Sequence, residues 1–222
     1  HGWTYTTEKW NELAQQLGSR GFELLLLPIP GLTETTDRVW ELDDYADWLK
    51  TKLDQEPQPV VIGHSNGGRI ALAYAAKYPA HLNHLILICS AGIYHNELPI
   101  RIKRLVFGMA AKLGKKLTSS PTLRNLLYRL AREHDYQNAT PQMKATMHNL
   151  ISSDLTSRLS FITTPTLIIW GENDRITPLA DGQLMHTLIK NSKLHIVKNA
   201  GHSPHFTDAQ EVTTQIVKEI KV

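Results

Sequence analysis

Cysteine is nearly absent from this chain of 222 residues: Cys89 stands alone. One thiol cannot form an intrachain disulfide, and a multi-cysteine zinc site is excluded with it. Long apolar runs are missing too. Runs such as residues 24–27 and 85–89 fall far short of the roughly 18 residues a membrane span needs, so stable membrane insertion is not expected. Strong charge of either sign is also lacking, since the formal net charge is only +3, and no nucleic-acid partner is called for. What remains is 41% hydrophobic and 20% charged. That composition excludes a disordered or collagen-like chain. A chain this long can bury roughly 70% of its extended surface, so no disulfide or metal is needed to hold a core.

The modest charge is unevenly placed. Residues 93–160 carry +7 and the rest of the chain −4. A basic segment can attract anionic substrates or surfaces. The blander reading, a solvated helical face, is preferred.

Periodicity divides the chain in three. Thr6, Thr7 and Glu8 can start a helix in which Trp10, Leu13, Ala14 and Leu17 share one face. Residues 22–27 form a short apolar run closed by Pro28 and Pro30, which predicts a buried strand and a turn. A second amphipathic helix follows, with Val39, Leu42, Tyr45, Ala46, Leu49 and Leu53 on its apolar face. Residues 59–62 predict a strand, 63–68 a glycine-rich turn, 69–78 a helix, and 82–89 a strand. From 93 to 161 no strand-length run occurs, and 99–117, 121–132 and 140–152 read as helices. Alternation then returns: strand 166–170, turn 171–178, helix 179–189, strand 193–197, loop 198–204, and a last helix from Ala209. The expectation is an α/β fold with a mostly parallel sheet flanked by helices. Residues 1–92 and 161–222 form its core, and 93–160 an inserted helical cap.

The sharpest signal is Gly63-His64-Ser65-Asn66-Gly67, a G-x-S-x-G between a strand and a helix. Its glycines allow a tight turn that lifts the serine hydroxyl above the sheet. Three fixed residues would recur by chance in roughly one such chain in ten, so placement matters more than the match. A serine hydroxyl is a poor nucleophile at neutral pH. It needs a base, and the base needs an orienting acid. Asp174 follows one strand and His202 the next, which gives the chain order Ser, Asp, His. Glu172 is the alternative acid on the same turn, and His205 the alternative base. The pair His202 and His205 suggests a metal only weakly, because no third ligand has matching spacing. No metal and no cofactor is expected. Backbone N–H groups must meet the oxyanion. Asn66, after the nucleophile, offers one, and Trp3 in the His1-Gly2-Trp3-Thr4 loop the other.

With His-Gly-Trp, Gly-His-Ser-Asn-Gly-Gly, Gly-Glu-Asn-Asp and Gly-His in order over essentially its whole length, the chain resembles the α/β-hydrolase superfamily. The resemblance implies the α/β-hydrolase fold. It also implies three strands ahead of the His-Gly loop that these 222 residues do not include, so either a segment before His1 or a rearranged sheet is expected. The family's usual acid before Leu-Pro-Gly is absent, since Pro28-Ile29-Pro30-Gly31 stands there. The cap is similar to that of a bacterial branch.

The function expected is a serine hydrolase that cleaves a carboxylic ester of a small or medium apolar substrate through an acyl-enzyme. Phe107, Met109, Leu113, Leu126, Leu127 and Tyr128 of the cap are candidates for an apolar acyl pocket, although helix packing explains any one of them as well. The alternatives are a carbon–carbon bond hydrolase of the ring-cleavage type and a hydrolase fold that only binds its ligand. An Asp-nucleophile dehalogenase or epoxide hydrolase is excluded by Ser65, and a proline iminopeptidase is disfavoured by the elbow's residues. A dinucleotide-binding oxidoreductase is excluded because Gly63, Gly67 and Gly68 lack the G-x-G-x-x-G spacing. The partner expected is a small-molecule substrate, and the location expected is cytoplasmic.

Overall fold

A computed structural model describes residues 1–4, 6–95 and 139–220. The helices expected at 99–117 and 121–132 lie outside the described residues. Four parallel strands run in the order β1 (Val60–His64), β2 (His84–Ile88), β3 (Thr166–Gly171) and β4 (Ser192–Val197). Val61 sits opposite Leu85, Ile86 opposite Leu167, and Ile169 opposite His195. Parallel strands must be covered on both faces, and β3 is buried along its whole length.

The pleat sends alternate residues to opposite sides. Leu85, Leu87, Ile168 and Trp170 join one core. Ile86, Ile88, Leu167 and Ile169 join the other. The first core is closed by α2 (Leu42–Leu53), α3 (Asn66–Lys77) and α5 (Leu179–Leu188). The second is closed by α1 (Asn11–Gly18) and α7 (Ala209–Ile220). Helix starts follow local chemistry. Glu41 and Asp44 form a reciprocal capping box at α2. Thr140 caps α4 (Pro141–Ser152), accepting from the Met143 N–H at 3.2 Å.

Helix α4 rests on the core. Thr146 Oγ1 accepts from the Trp40 N–H at 2.9 Å, and Met143 and Leu150 are buried in the first core. A 3₁₀ turn, Thr156–Phe161, adds Leu159. The end of the block expected as a cap therefore shares its packing with the sheet. A short helix α6 (Pro204–Thr207), which periodicity did not predict, begins where the loop 198–204 was expected to end.

Val39, expected on the apolar face of α2, lies outside that helix and is 44% exposed. A larger expectation fails as well. Residues 22–27 do not form a strand. Phe22 and Leu24 pack on the second core and Leu27 on the first, while Leu25 is 73% exposed. The physical reason is a missing neighbour. A strand exists through its ladder, and no strand among the described residues lies beside this segment. β1 is an edge of the sheet. A cleft of about 490 Å³, lined by Leu13, Leu17, Leu24, Val60, Ile62 and Ile70, separates β1 from the segment. No helix among the described residues is long and apolar enough to cross a membrane.

Candidate active site

The turn from β1 into α3 is strained. Ser65 has φ 52° and ψ −116°, a backbone conformation that L-residues rarely adopt. The flanking glycines make it possible. A Cβ on Gly63 would lie 2.7 Å from the Gly67 carbonyl oxygen and the Gly68 Cα, and one on Gly67 would lie 2.5 Å from the His1 carbonyl oxygen. The turn is pinned to the sheet by the Ser65 N–H, which donates to the Ile88 oxygen at 3.1 Å. Asn66 opens α3, so its N–H belongs to the unpaired first turn of a helix.

The acid and the base come from the next two strand ends. Asp174 lies three residues beyond β3. Its side chain is fully buried, and its Oδ2 lies 2.8 Å from His202 Nδ1. A carboxylate can only accept, so Nδ1 carries a proton, and Nε2 is the ring nitrogen that Asp174 does not engage. Oδ1 accepts from the N–H groups of Ile176 at 2.8 Å and Thr177 at 3.1 Å. Thr177 Oγ1 lies 2.8 Å from Oδ2 and 3.1 Å from the Cys89 oxygen. Burial works to raise the Asp174 pKa. The hydrogen bonds from His202, Ile176 and Thr177 outweigh it and hold the carboxyl below its ordinary value.

The two alternatives separate from this pair. Glu172 is exposed and accepts from the Asn199 N–H at 2.9 Å. His205 is 1% exposed and stacks on Trp10 and His64, at 4.6 and 4.3 Å between ring centres. Burial, joined by the positive charge of nearby groups, pulls its pKa down to about 3. It is a neutral packing residue.

His64 connects the parts. Its Nε2 donates to the His202 carbonyl at 2.7 Å, and a Cβ on Gly2 would lie 3.0 Å from its Nδ1 and 3.2 Å from Ser65 Cβ. The elbow, the base-bearing loop and the His1-Gly2-Trp3 segment thus meet around one ring. Burial, then the charges of His205 and His202, drive the His64 pKa well below its usual value, so the ring is neutral. Ser65 Oγ is not itself hydrogen-bonded to His202. Trp3 is half-buried, with an indole N–H that is buried and unpaired. The pocket candidates Phe107, Met109, Leu113, Leu126, Leu127 and Tyr128 lie outside the described residues.

Sequence reasoning did not single out His64, Arg69 or Thr177. Cys89 Sγ, an Asp174 oxygen and a His202 nitrogen lie within 4.8 Å of one another. Those are metal-ligand types, but the fit is poor. Burial drives the Cys89 thiol pKa far up, which keeps it protonated, and Asp174 and His202 are already bonded to each other. A signal for Thr177 was present: Asp174 with the N–H groups two and three residues on is a common turn pattern. His64 and Arg69 gave none, because their significance lies in partners far along the chain or in having none.

The chain as a whole resembles known proteins. The family model for the alpha/beta hydrolase fold matches residues 1–209. The 2-hydroxy-6-oxononadienedioate/2-hydroxy-6-oxononatrienedioate hydrolase 1 of Pseudomonas putida is 26% identical over 90% of this chain and 76% of its own. The pimeloyl-[acyl-carrier protein] methyl ester esterase of Nitrosomonas europaea is 26% identical over 92% of this chain and 87% of its own. The solved structure of MenH from S. aureus superposes with a TM-score of 0.72, at 24% identity, over 100% of this chain and 91% of that one; this likeness shows the fold alone.

Proposed function

The chain belongs to the alpha/beta hydrolase family, and from that premise we propose that it is a serine hydrolase that cleaves a carboxylic ester of a small or medium substrate through an acyl-enzyme. One observation carries the reading: a serine on a strained β1–α3 turn, at the same end of the sheet as a histidine whose Nδ1 is held 2.8 Å from a buried carboxylate.

In this reading His202 Nε2 takes the Ser65 Oγ proton as the oxygen attacks the ester carbonyl. Asp174 keeps the imidazole in the required tautomer and stabilises the imidazolium. The N–H groups of Asn66 and Trp3 receive the oxyanion. His202 then returns the proton to the departing alcohol. Water, deprotonated by His202, attacks the acyl-enzyme and frees the acid and Ser65. The hydrogen bond between Ser65 and His202 forms only with substrate in place, which is common for such pairs.

A second reading has one specific support, the likeness to the Pseudomonas putida dioate hydrolase. There the same serine and histidine would cleave a carbon–carbon bond next to a carbonyl. The test is hydrolysis of a p-nitrophenyl ester series from acetate to palmitate by the wild type and Ser65→Ala, with fluorophosphonate labelling in parallel. Activity and label lost together in Ser65→Ala support the ester reading. Label without turnover of any ester moves the assignment to carbon–carbon bond substrates. A folded protein that takes no label is a binding module.

A further inference from the structure

One buried charged side chain has no counterpart among the described residues. Arg69 lies on α3, and its N–H donates to the Ser65 carbonyl at 3.1 Å, one helical turn from the nucleophile. The residue is 7% exposed, and its Nε and Nη1 are buried without a hydrogen-bond acceptor among the described residues. Among the described residues no acidic group compensates it: burial pulls its pKa down to about 10, so it remains a cation at neutral pH.

A buried charge without a partner is costly. Its penalty is several kcal/mol, and a long side chain ordinarily extends its head to water instead. Three observations say what is missing. The unmet capacity is all N–H, because a guanidinium has no acceptor, so the absent group accepts hydrogen bonds. The planar fork of Nε and Nη matches the two oxygens of a carboxylate. The position is close to the nucleophile along the backbone: Arg69 lies on one face of the first turn of α3, and its N–H reaches the Ser65 carbonyl. The same face continues to Leu72, which packs toward Gly92 in the loop that follows β2. A second orphan points the same way. Trp3, adjacent to the Gly2 that packs on Ser65, holds another buried N–H without an acceptor.

We propose that Arg69 binds a carboxylate of the substrate, so that the ester cleaved at Ser65 is the half-ester of a short dicarboxylic acid. The inference rests on the serine-hydrolase reading and revises the wholly apolar substrate expected from the sequence. A single cation suits a monoanion. The turn of helix between Ser65 and Arg69 places the carboxylate a few carbons from the scissile carbonyl, as in a succinate or glutarate half-ester.

The test compares two substrates of equal length, the mono-p-nitrophenyl ester of glutaric acid and p-nitrophenyl pentanoate. It uses the wild type, Arg69→Met and Arg69→Lys. The wild type favours the glutarate ester in kcat/KM. Arg69→Met lowers the ratio of the two by roughly 10- to 150-fold, the usual value of a hydrogen-bonded charge, and Arg69→Lys falls between. A structural role would depress both substrates and leave the ratio alone, so an unchanged ratio, or a wild type that favours pentanoate, overturns the proposal. Binding supplies a readout independent of turnover. Glutarate raises the melting temperature of Ser65→Ala and not that of Ser65→Ala/Arg69→Met. If neither ester is turned over and no fluorophosphonate label is taken, the hydrolase reading has failed, and the glutarate shift still decides the fate of Arg69. No shift in Ser65→Ala overturns it.

Discussion

Replacing Thr177 with valine isolates the environment of the buried acid. The change keeps shape and volume and removes one hydroxyl. That hydroxyl sits between Asp174 Oδ2 at 2.8 Å and the Cys89 carbonyl at 3.1 Å. It has one proton, so its removal takes a donor from a charged acceptor or from a buried neutral one. A hydrogen bond to a charged group contributes about 1.5–3 kcal/mol, and an unsatisfied buried acceptor costs about 1–3 kcal/mol. The donors left to Asp174 are the N–H groups of Ile176 and Thr177 and the ring of His202. The expected loss at pH 7 is about 2–3 kcal/mol. At roughly 2–4 °C per kcal/mol for a chain this long, the melting temperature drops by roughly 4–12 °C. The pH dependence gives a second check. The folded pKa of Asp174 is held down, so its contribution is present above the unfolded value of about 3.9 and is lost as pH falls through the folded pKa. Thr177→Val weakens that depression. Its destabilisation therefore shrinks as pH falls through the folded pKa, below which a neutral acid has less to lose. Urea unfolding at pH 7 and pH 3.5 measures both. A loss under 0.5 kcal/mol at pH 7, or one that is the same at both pH values, would refute the account of how the acid is held.

Three further outcomes follow from the site. Ser65→Gly abolishes ester hydrolysis yet raises stability by about 1 kcal/mol, because glycine accepts φ 52° without strain; an unfolding curve that shifts downward contradicts the strained turn. Gly63→Ala is expected to cost about 3 kcal/mol or more, since its methyl would meet backbone atoms of Gly67 and Gly68 at 2.7 Å; soluble expression with an unchanged melting temperature counts against the packing. Asp174→Asn lowers kcat by about 10³–10⁴ through the wrong histidine tautomer, while Glu172→Gln stays within about threefold. Equal losses in the two would return Glu172 to the role of acid.

The strands at residues 82–89, 166–170 and 193–197 were legible because they are short apolar runs between breakers, buried on both sides in a parallel sheet. Their ends moved by one or two residues. Ser65, Asp174 and His202 were legible because each sits on a turn directly after such a run. Residues 22–27 show the same apolar pattern and do not form a strand. Composition states that a segment can be buried, not that a ladder partner stands beside it. His64 was visible only as the variable position of a motif. Its contact with the His202 carbonyl spans 138 positions. Arg69 was invisible for the opposite reason: what distinguishes it is the lack of a partner among the described residues, and no spacing encodes that.

The neighbouring order of β2 and β3 has a bearing on how this chain can change. Residues 89–165 leave the sheet at one strand and rejoin it at the next, beside the point of departure. An excursion whose two ends are adjacent is cheap to lengthen: growing a connection from about 10 to about 77 residues adds only about 2 kcal/mol of closure entropy. Insertions there leave the β2–β3 register untouched, along with the Asp174–His202 pair that hangs from β3 and β4. Arg69 and Ser65, by contrast, sit on a helix packed against β1 and β2, where a shift of one residue would break both. Specificity carried by the excursion is free to drift, whereas specificity carried by α3 is locked to the chemistry itself.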